Sequence, residues 1–185
     1  MFERFKMYSL QKLKDSKESN DCDEEVLPIL ESINSTDDYY STSSCMGRIL
    51  VMKNQIEKQP DMFLMKWHRK INFDELKENL EDGFRWFKME SAIFHIGCRN
   101  IESAQKLLKF ARSIGFKRSG IIESEKRVVV EVSGTEKIDA PVNNKLSRDY
   151  IEKLIDEANL RIERNTARVN VLKKYFQDYS KTIPA

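Results

Sequence analysis

The chain reads as an α+β fold, a single domain over 1–185 with a mixed sheet and a long C-terminal helix. Three observations predict it. Short apolar or β-branched runs such as Ile49–Met52, Phe94–Ile96 and Val128–Val130 have strand length and are bounded by Gly, Ser and Asn. Between them lie segments of helical period opened by Asn72 and Asn100, residues suited to capping a helix. From Ser147 to Lys181 the apolar residues recur at alternating spacings of four and three, as along one helix face. The glycines form no Gly-x-Gly-x-x-Gly loop, so a Rossmann-type cofactor fold is not announced.

Taken in order, 1–33 predicts two helices. The first twenty residues place Phe2, Phe5, Leu10 and Leu13 on one side. Asp21 to Ile33 places Val26, Leu27, Leu30 and Ile33 at helical spacing, with Pro28 tolerable only in the first turns. An α/β core follows over 39–142. Its strands are expected at Gly47–Lys53, Met62–Trp67, Phe84–Met89, Ala92–Cys98, Gly120–Glu123 and Arg127–Val132. Its helices are expected at Asn72–Glu81, stopped by Gly83, and at Ile101–Ile114, stopped by Gly115. His68 then Asn72, and His95 then Asn100, each run strand, histidine, capped helix, strand, which suggests an internal duplication.

The last helix, 147–181, carries a heptad seam of Ile151, Ile155, Ala158, Ile162, Asn165, Val169, Leu172, Phe176, Tyr179 and Ile183, with Asn165 its polar member. A helix of that length spans about 50 Å, more than the width of about 40 Å expected of such a domain. Two readings of the seam stay open: cover for its own domain, or a homodimer interface.

Composition narrows the class. No apolar run nears the ~20 residues that cross a bilayer, and the N-terminus does not read as a secretory signal. Cys22, Cys45 and Cys98, odd in number and scattered, fit a reducing compartment, and the cytoplasm is the expected location. Cysteines and histidines show no zinc spacing, so no metal is expected. The net charge of +2 permits a polyanion partner without requiring one.

The chemistry concentrates in Tyr39-Tyr40-Ser41-Thr42-Ser43-Ser44-Cys45-Met46-Gly47-Arg48-Ile49. Short polar groups in a row line pockets or bond to backbone; they do not drive burial. Cys45 beside a histidine would allow a nucleophile–base pair, a hydrolase reading that competes here. His95 and His68 occupy matching points of the strand–helix echo and are the proton-transfer candidates. Tyr40 and Trp67 are candidates to stack on a base. Arg99, Lys106, Arg161, Arg164 and Arg168 are candidates to track phosphates.

The Ser43-Ser44-Cys45-Met46-Gly47-Arg48 run resembles the Ser-Ser-Cys-x-Gly-Arg element of the tRNA wybutosine-synthesis methyltransferase family. Further motifs match in order: His95 with Cys98-Arg99, the Ala104-Gln105 helix, Gly115-Phe116 with Ser119-Gly120-Ile121, Lys126-Arg127-Val128-Val129, and Ala140-Pro141-Val142. The resemblance covers nearly the whole chain. It departs at Met46, where a small residue is expected, and at Ser133-Gly134-Thr135, where the family tends to carry an arginine.

The resemblance implies a compact α+β fold unlike the Rossmann methyltransferases. It implies an S-adenosylmethionine-dependent enzyme that methylates N4 of the wybutosine precursor at position 37, in the anticodon loop of tRNA-Phe. On that reading Ser43, Ser44, Cys45, Gly47 and Arg48 line the cofactor pocket, with Arg48 on a carboxylate. A non-catalytic tRNA-binding module is the alternative.

Overall fold

A computed structural model describes residues 1–19, 24–53 and 62–181. Among them are five α-helices: α1 (Phe2–Glu18), α2 (Leu27–Asn34), α3 (Phe73–Lys77), α4 (Ile101–Ser113) and α5 (Arg148–Lys181). The strands are β1 (Tyr39–Cys45), β2 (Arg48–Lys53), β3 (Phe63–Trp67), β4 (Arg85–Glu90), β5 (Ile93–Cys98), β6 (Gly120–Glu123), β7 (Val128–Ser133) and β8 (Lys137–Val142). The α+β class and the long final helix are as the sequence predicts. In place of one mixed sheet there are two four-stranded sheets, β1-β5-β7-β6 and β3-β2-β4-β8, with every described pairing antiparallel. Each sheet carries its own buried apolar set, so two cores form.

The chain divides into two compact units, both discontinuous in sequence: 1–46, 92–135 and 167–185, and 47–91 with 136–166. In the first, Tyr39, Phe94, Ile96, Val130 and Val132 project from one face of the sheet into a core. Ile29, Ile33, Leu107, Ala111, Val169, Leu172 and Phe176 of α2, α4 and α5 fill that core. The side chain of Asn100 accepts from the Ser103 backbone N–H and starts α4.

Two close approaches fix the first unit. Gly115 ends the turn after α4 at φ +108, and a Cβ there would meet Arg168 Nε at 2.7 Å. Gly97 lies under the ring of Tyr40, where a Cβ would sit 2.1 Å from Tyr40 Cζ.

In the second unit, Ile49, Val51, Phe87, Met89 and Val142 face Leu76, Ile151, Ile155, Ala158 and Ile162. Asn72 and Glu75 form a reciprocal capping box at the start of α3. α3 ends at Lys77, short of the expected Glu81. β8 is not among the expected strands; it lies at a sheet edge, where the missing N–H of Pro141 is tolerated.

The seam of α5 is consumed within the chain. Its described residues up to Ile162 belong to one core and Val169, Leu172 and Phe176 to the other, so these cover the protein's own sheets. Its polar member, Asn165, accepts a hydrogen bond from the Ser91 hydroxyl. The two sheets do not repeat one another strand for strand. In sequence order the first sheet runs 1-2-4-3 and the second 2-1-3-4. The echo itself holds at the level of elements: β3-α3-β4 and β5-α4-β6 each run strand, asparagine-capped helix, strand, and in each the two strands flank one other strand of the sheet. Asp21, Cys22 and Asp23, in the second expected helix, and Ile183 of the seam lie outside the described residues.

Candidate active site

The hydroxyl-rich stretch is a strand: β1 pairs with β5, far away in sequence. The pairing carries a bulge. Ser41 stands opposite Ile96 and Ser44 opposite Phe94, so Thr42 and Ser43 together face the single residue His95. The Thr42 hydroxyl donates to the His95 carbonyl at 3.0 Å. The Ser43 hydroxyl lies 2.6 Å from His95 Nδ1. On the next strand Glu131 is the registered partner of His95, and its Oε2 lies 3.0 Å from Nε2. A line Ser43–His95–Glu131 therefore crosses β1, β5 and β7.

That line has a defined polarity. A carboxylate only accepts, so Nε2 carries a proton and donates to Glu131. In the neutral ring Nδ1 then holds the lone pair and accepts from the Ser43 hydroxyl. Ser43 is exposed, and His95 and Glu131 are about one-third exposed, so the line reaches the surface of its unit. Sequence reasoning missed Glu131. A glutamate within a valine run reads as the solvated side of a strand, and only the register with β5 gives it a partner.

Other first-unit candidates divide. Ser44 Oγ is buried without a hydrogen-bond partner among the described residues, an orphan polar atom in the stretch expected to hold a cofactor. Cys45 ends β1 and is half-buried. Tyr40 is not a stacking platform: it is 1% exposed, closed in by Gly97 and by Phe2, whose ring meets it edge-on at 5.3 Å.

Arg99 is not free for phosphate either. It donates to Asp38, Glu3 and the Asp37 carbonyl, each at 2.8–2.9 Å, and lies over the Phe2 ring. Asp38 also accepts from the Tyr179 hydroxyl at 2.6 Å, and burial with this carboxylate pushes Tyr179 up to about 12. Lys106 is exposed and paired with Glu102 along α4, and Arg168 packs beside Gly115.

In the second unit Gly47 takes φ +87 and its carbonyl accepts from His68 Nδ1 at 2.8 Å. Arg48 Nε donates to Glu90, its registered partner on β4, at 2.8 Å. The guanidinium lies 5.3 Å from the centroid of the Phe63 ring. Trp67 is 7% exposed and packed in the second core, so it offers no face to a base, whereas Phe63, beside Arg48, is 45% exposed. Arg161 is held by Glu157 and the Lys137 carbonyl. Arg164 is exposed, and the expected three-arginine phosphate track is therefore not a free row. Among the described residues no helix is long and apolar enough to cross a membrane.

The family model described as Methyltransferase TYW3 matches residues 4–178. The chain belongs to the TYW3 methyltransferase family. A TYW3 relative from Methanocaldococcus jannaschii, named tRNA(Phe) 7-((3-amino-3-carboxypropyl)-4-demethylwyosine(37)-N(4))-methyltransferase, is 40% identical, covering 77% of this chain and 79% of its own. The first of the Thermococcus kodakarensis enzymes of that name is 36% identical, covering 94% and 92%. The solved PH1069 protein from Pyrococcus horikoshii superposes with a TM-score of 0.87 at 32% identity, covering 95% of both chains. The resemblance seen in the sequence is thus borne out, and methyl transfer is the activity of the TYW3 family.

Proposed function

We propose that this chain transfers a methyl group from S-adenosylmethionine to N4 of the wybutosine precursor at position 37 of tRNA-Phe. The names of its TYW3 relatives supply the substrate class. The observation that carries the catalytic part is the Ser43–His95–Glu131 line: a neutral imidazole held in one tautomer and able to take up a proton. A ring N–H nitrogen that gains a methyl group and ends neutral must lose its proton, and His95 is the acceptor on this reading.

The donor, when bound, supplies an electrophilic methyl group on a sulfonium. The residues of the first unit fit such a group, because Ser44 keeps a buried hydroxyl with no partner of its own. We assign Ser44 and Cys45 to the donor. In the second unit Arg48, oriented by Glu90, is assigned to a carboxylate, and His68 holds the Gly47 turn. Phe63 takes over the stacking role first given to Trp67 and Tyr40, with Arg48 beside it. We place the reaction in the cytoplasm, on the anticodon loop.

Mass spectrometry of tRNA-Phe carrying the precursor tests the reading. The base should gain one methyl group only when protein and donor are both present. An unchanged base, with calorimetry showing no donor binding, would favour the passive tRNA-binding module.

A further inference from the structure

Both ring nitrogens of His95 are already engaged. Nε2 faces Glu131 at 3.0 Å and Nδ1 faces Ser43 at 2.6 Å. A base whose lone pair is occupied by a serine hydroxyl does not itself meet the substrate; the hydroxyl does. Of the three groups, Ser43 is the exposed one, and the bulge in β1 is what brings it beside His95. A strand without the extra residue would set one side chain opposite His95 instead of two. Thr42, the other residue in the bulge, is committed to the His95 carbonyl.

We propose that Ser43 is the catalytic residue that receives the substrate proton, and that Glu131 is a positioning residue which fixes the direction of transfer. This rests on the methyltransferase reading above. The balance is as follows. The nitrogen bonds to the methyl carbon as the methyl–sulfur bond of the donor breaks, its electron pair leaving with sulfur as a neutral thioether, and the nitrogen becomes cationic. Its proton passes to Ser43 Oγ as the Ser43 hydroxyl proton passes to His95 Nδ1. The N–H bond of the substrate and the O–H bond of Ser43 break; a new O–H and an Nδ1–H form. Ser43 ends neutral. His95 ends as imidazolium, its Nε2–H still donated to Glu131, and later releases one proton to water.

Glu131 has two roles in this chemistry. It holds the proton on Nε2, so that the acceptor nitrogen faces Ser43, and its charge faces the imidazolium once formed. The proposal also moves Ser43 from the donor pocket, where its sequence neighbours Ser44 and Cys45 remain, to the substrate side.

The test combines kinetics with nitrogen NMR of the imidazoles. The chain has two histidines, so His68→Gln leaves the His95 signals alone. In the parent, the His95 ring should show the Nε2–H tautomer, and Glu131→Gln should shift the balance toward Nδ1–H. Ser43→Ala should lower kcat on the order of 10²-fold, with donor binding by calorimetry unchanged. Ser43→Thr, which keeps a hydroxyl, should recover most of the rate. Glu131→Gln should lower kcat about tenfold or more at unchanged KM.

Full activity in Ser43→Ala, or an Nδ1–H tautomer in the parent, would overturn the relay. A parent that methylates nothing overturns the functional reading instead, while one that methylates with Ser43 dispensable overturns the relay alone.

Discussion

Gly97→Ala tests how the sheet face beside His95 is closed. The added Cβ would lie 2.1, 2.3 and 2.6 Å from three atoms of the Tyr40 ring. Ordinary contact begins near 3.4 Å, so the ring must retreat by about 1.3 Å (3.4 − 2.1). It has little room to do so, being 1% exposed with the Phe2 ring packed edge-on to it. Overpacking of this kind costs about 1–3 kcal/mol, and a rigid ring with no exit argues for the upper half. At roughly 2–4 °C per kcal/mol for a chain of this size, Tm should fall about 4–12 °C. Scanning calorimetry with urea titration reads this. Gly120→Ala is the control, since nothing lies within 4 Å of its Cβ position. Gly97→Ala introduced into a Tyr40→Ala background should cost almost nothing further, because the clashing ring is gone. A Tm for Gly97→Ala within a degree of the parent, or an equal loss in Gly120→Ala, would refute the close-approach argument.

Arg99→Ala removes two ion pairs and the contact over Phe2 that together tie α1 to β1, and should cost about 1–3 kcal/mol. Faster proteolysis within Phe2–Glu18 should accompany the loss, whereas Lys106→Ala should leave both measurements at parent values. Cys98 is pushed up to about 12 by burial, so the folded chain keeps its thiol protonated at pH 8 and iodoacetamide should leave that peptide unmodified until urea unfolds it. The unfolded thiol loses its proton above its ordinary value of 9.0 while the folded one holds it, so stability is full below pH 9 and declines between pH 9 and about 12. Urea midpoints that rise over this range would contradict it.

Local chemistry made much of this legible from sequence. Asn72 and Asn100 announce their helices because a cap is a contact between near neighbours. β6 was read to the residue, Gly120–Glu123. What depends on partners distant in sequence was not legible. Neither β1 nor β8 is among the expected strands, and each forms by pairing with a strand distant in sequence, β1 with β5 and β8 with β4. The same limit applied to the site. His95 was visible as a histidine in an apolar run, but its engagement with Ser43 and Glu131 depends on one bulge and one strand register. Tyr40, Trp67 and Arg99 misled because residue type alone does not say whether a ring or a guanidinium is already occupied.

The unusual run of hydroxyls resolves when each is followed to its partner. The Ser41 backbone N–H donates to the Asn34 side chain, and the Asn34 amide donates back to the Ser41 hydroxyl, which ties β1 to the end of α2. Thr42 bonds the backbone of His95 and Ser43 its ring. Three of the four groups are thus accounted for within the first unit, each by a different bond. Ser44 is the exception, buried and unmatched, at a cost of about 1–3 kcal/mol for an unmade hydrogen bond. A strand selected for stability alone would carry alanine or valine there and avoid that cost. Retaining the hydroxyl makes physical sense if something outside the described residues completes its bond, and a methyl donor seated against β1 would do so.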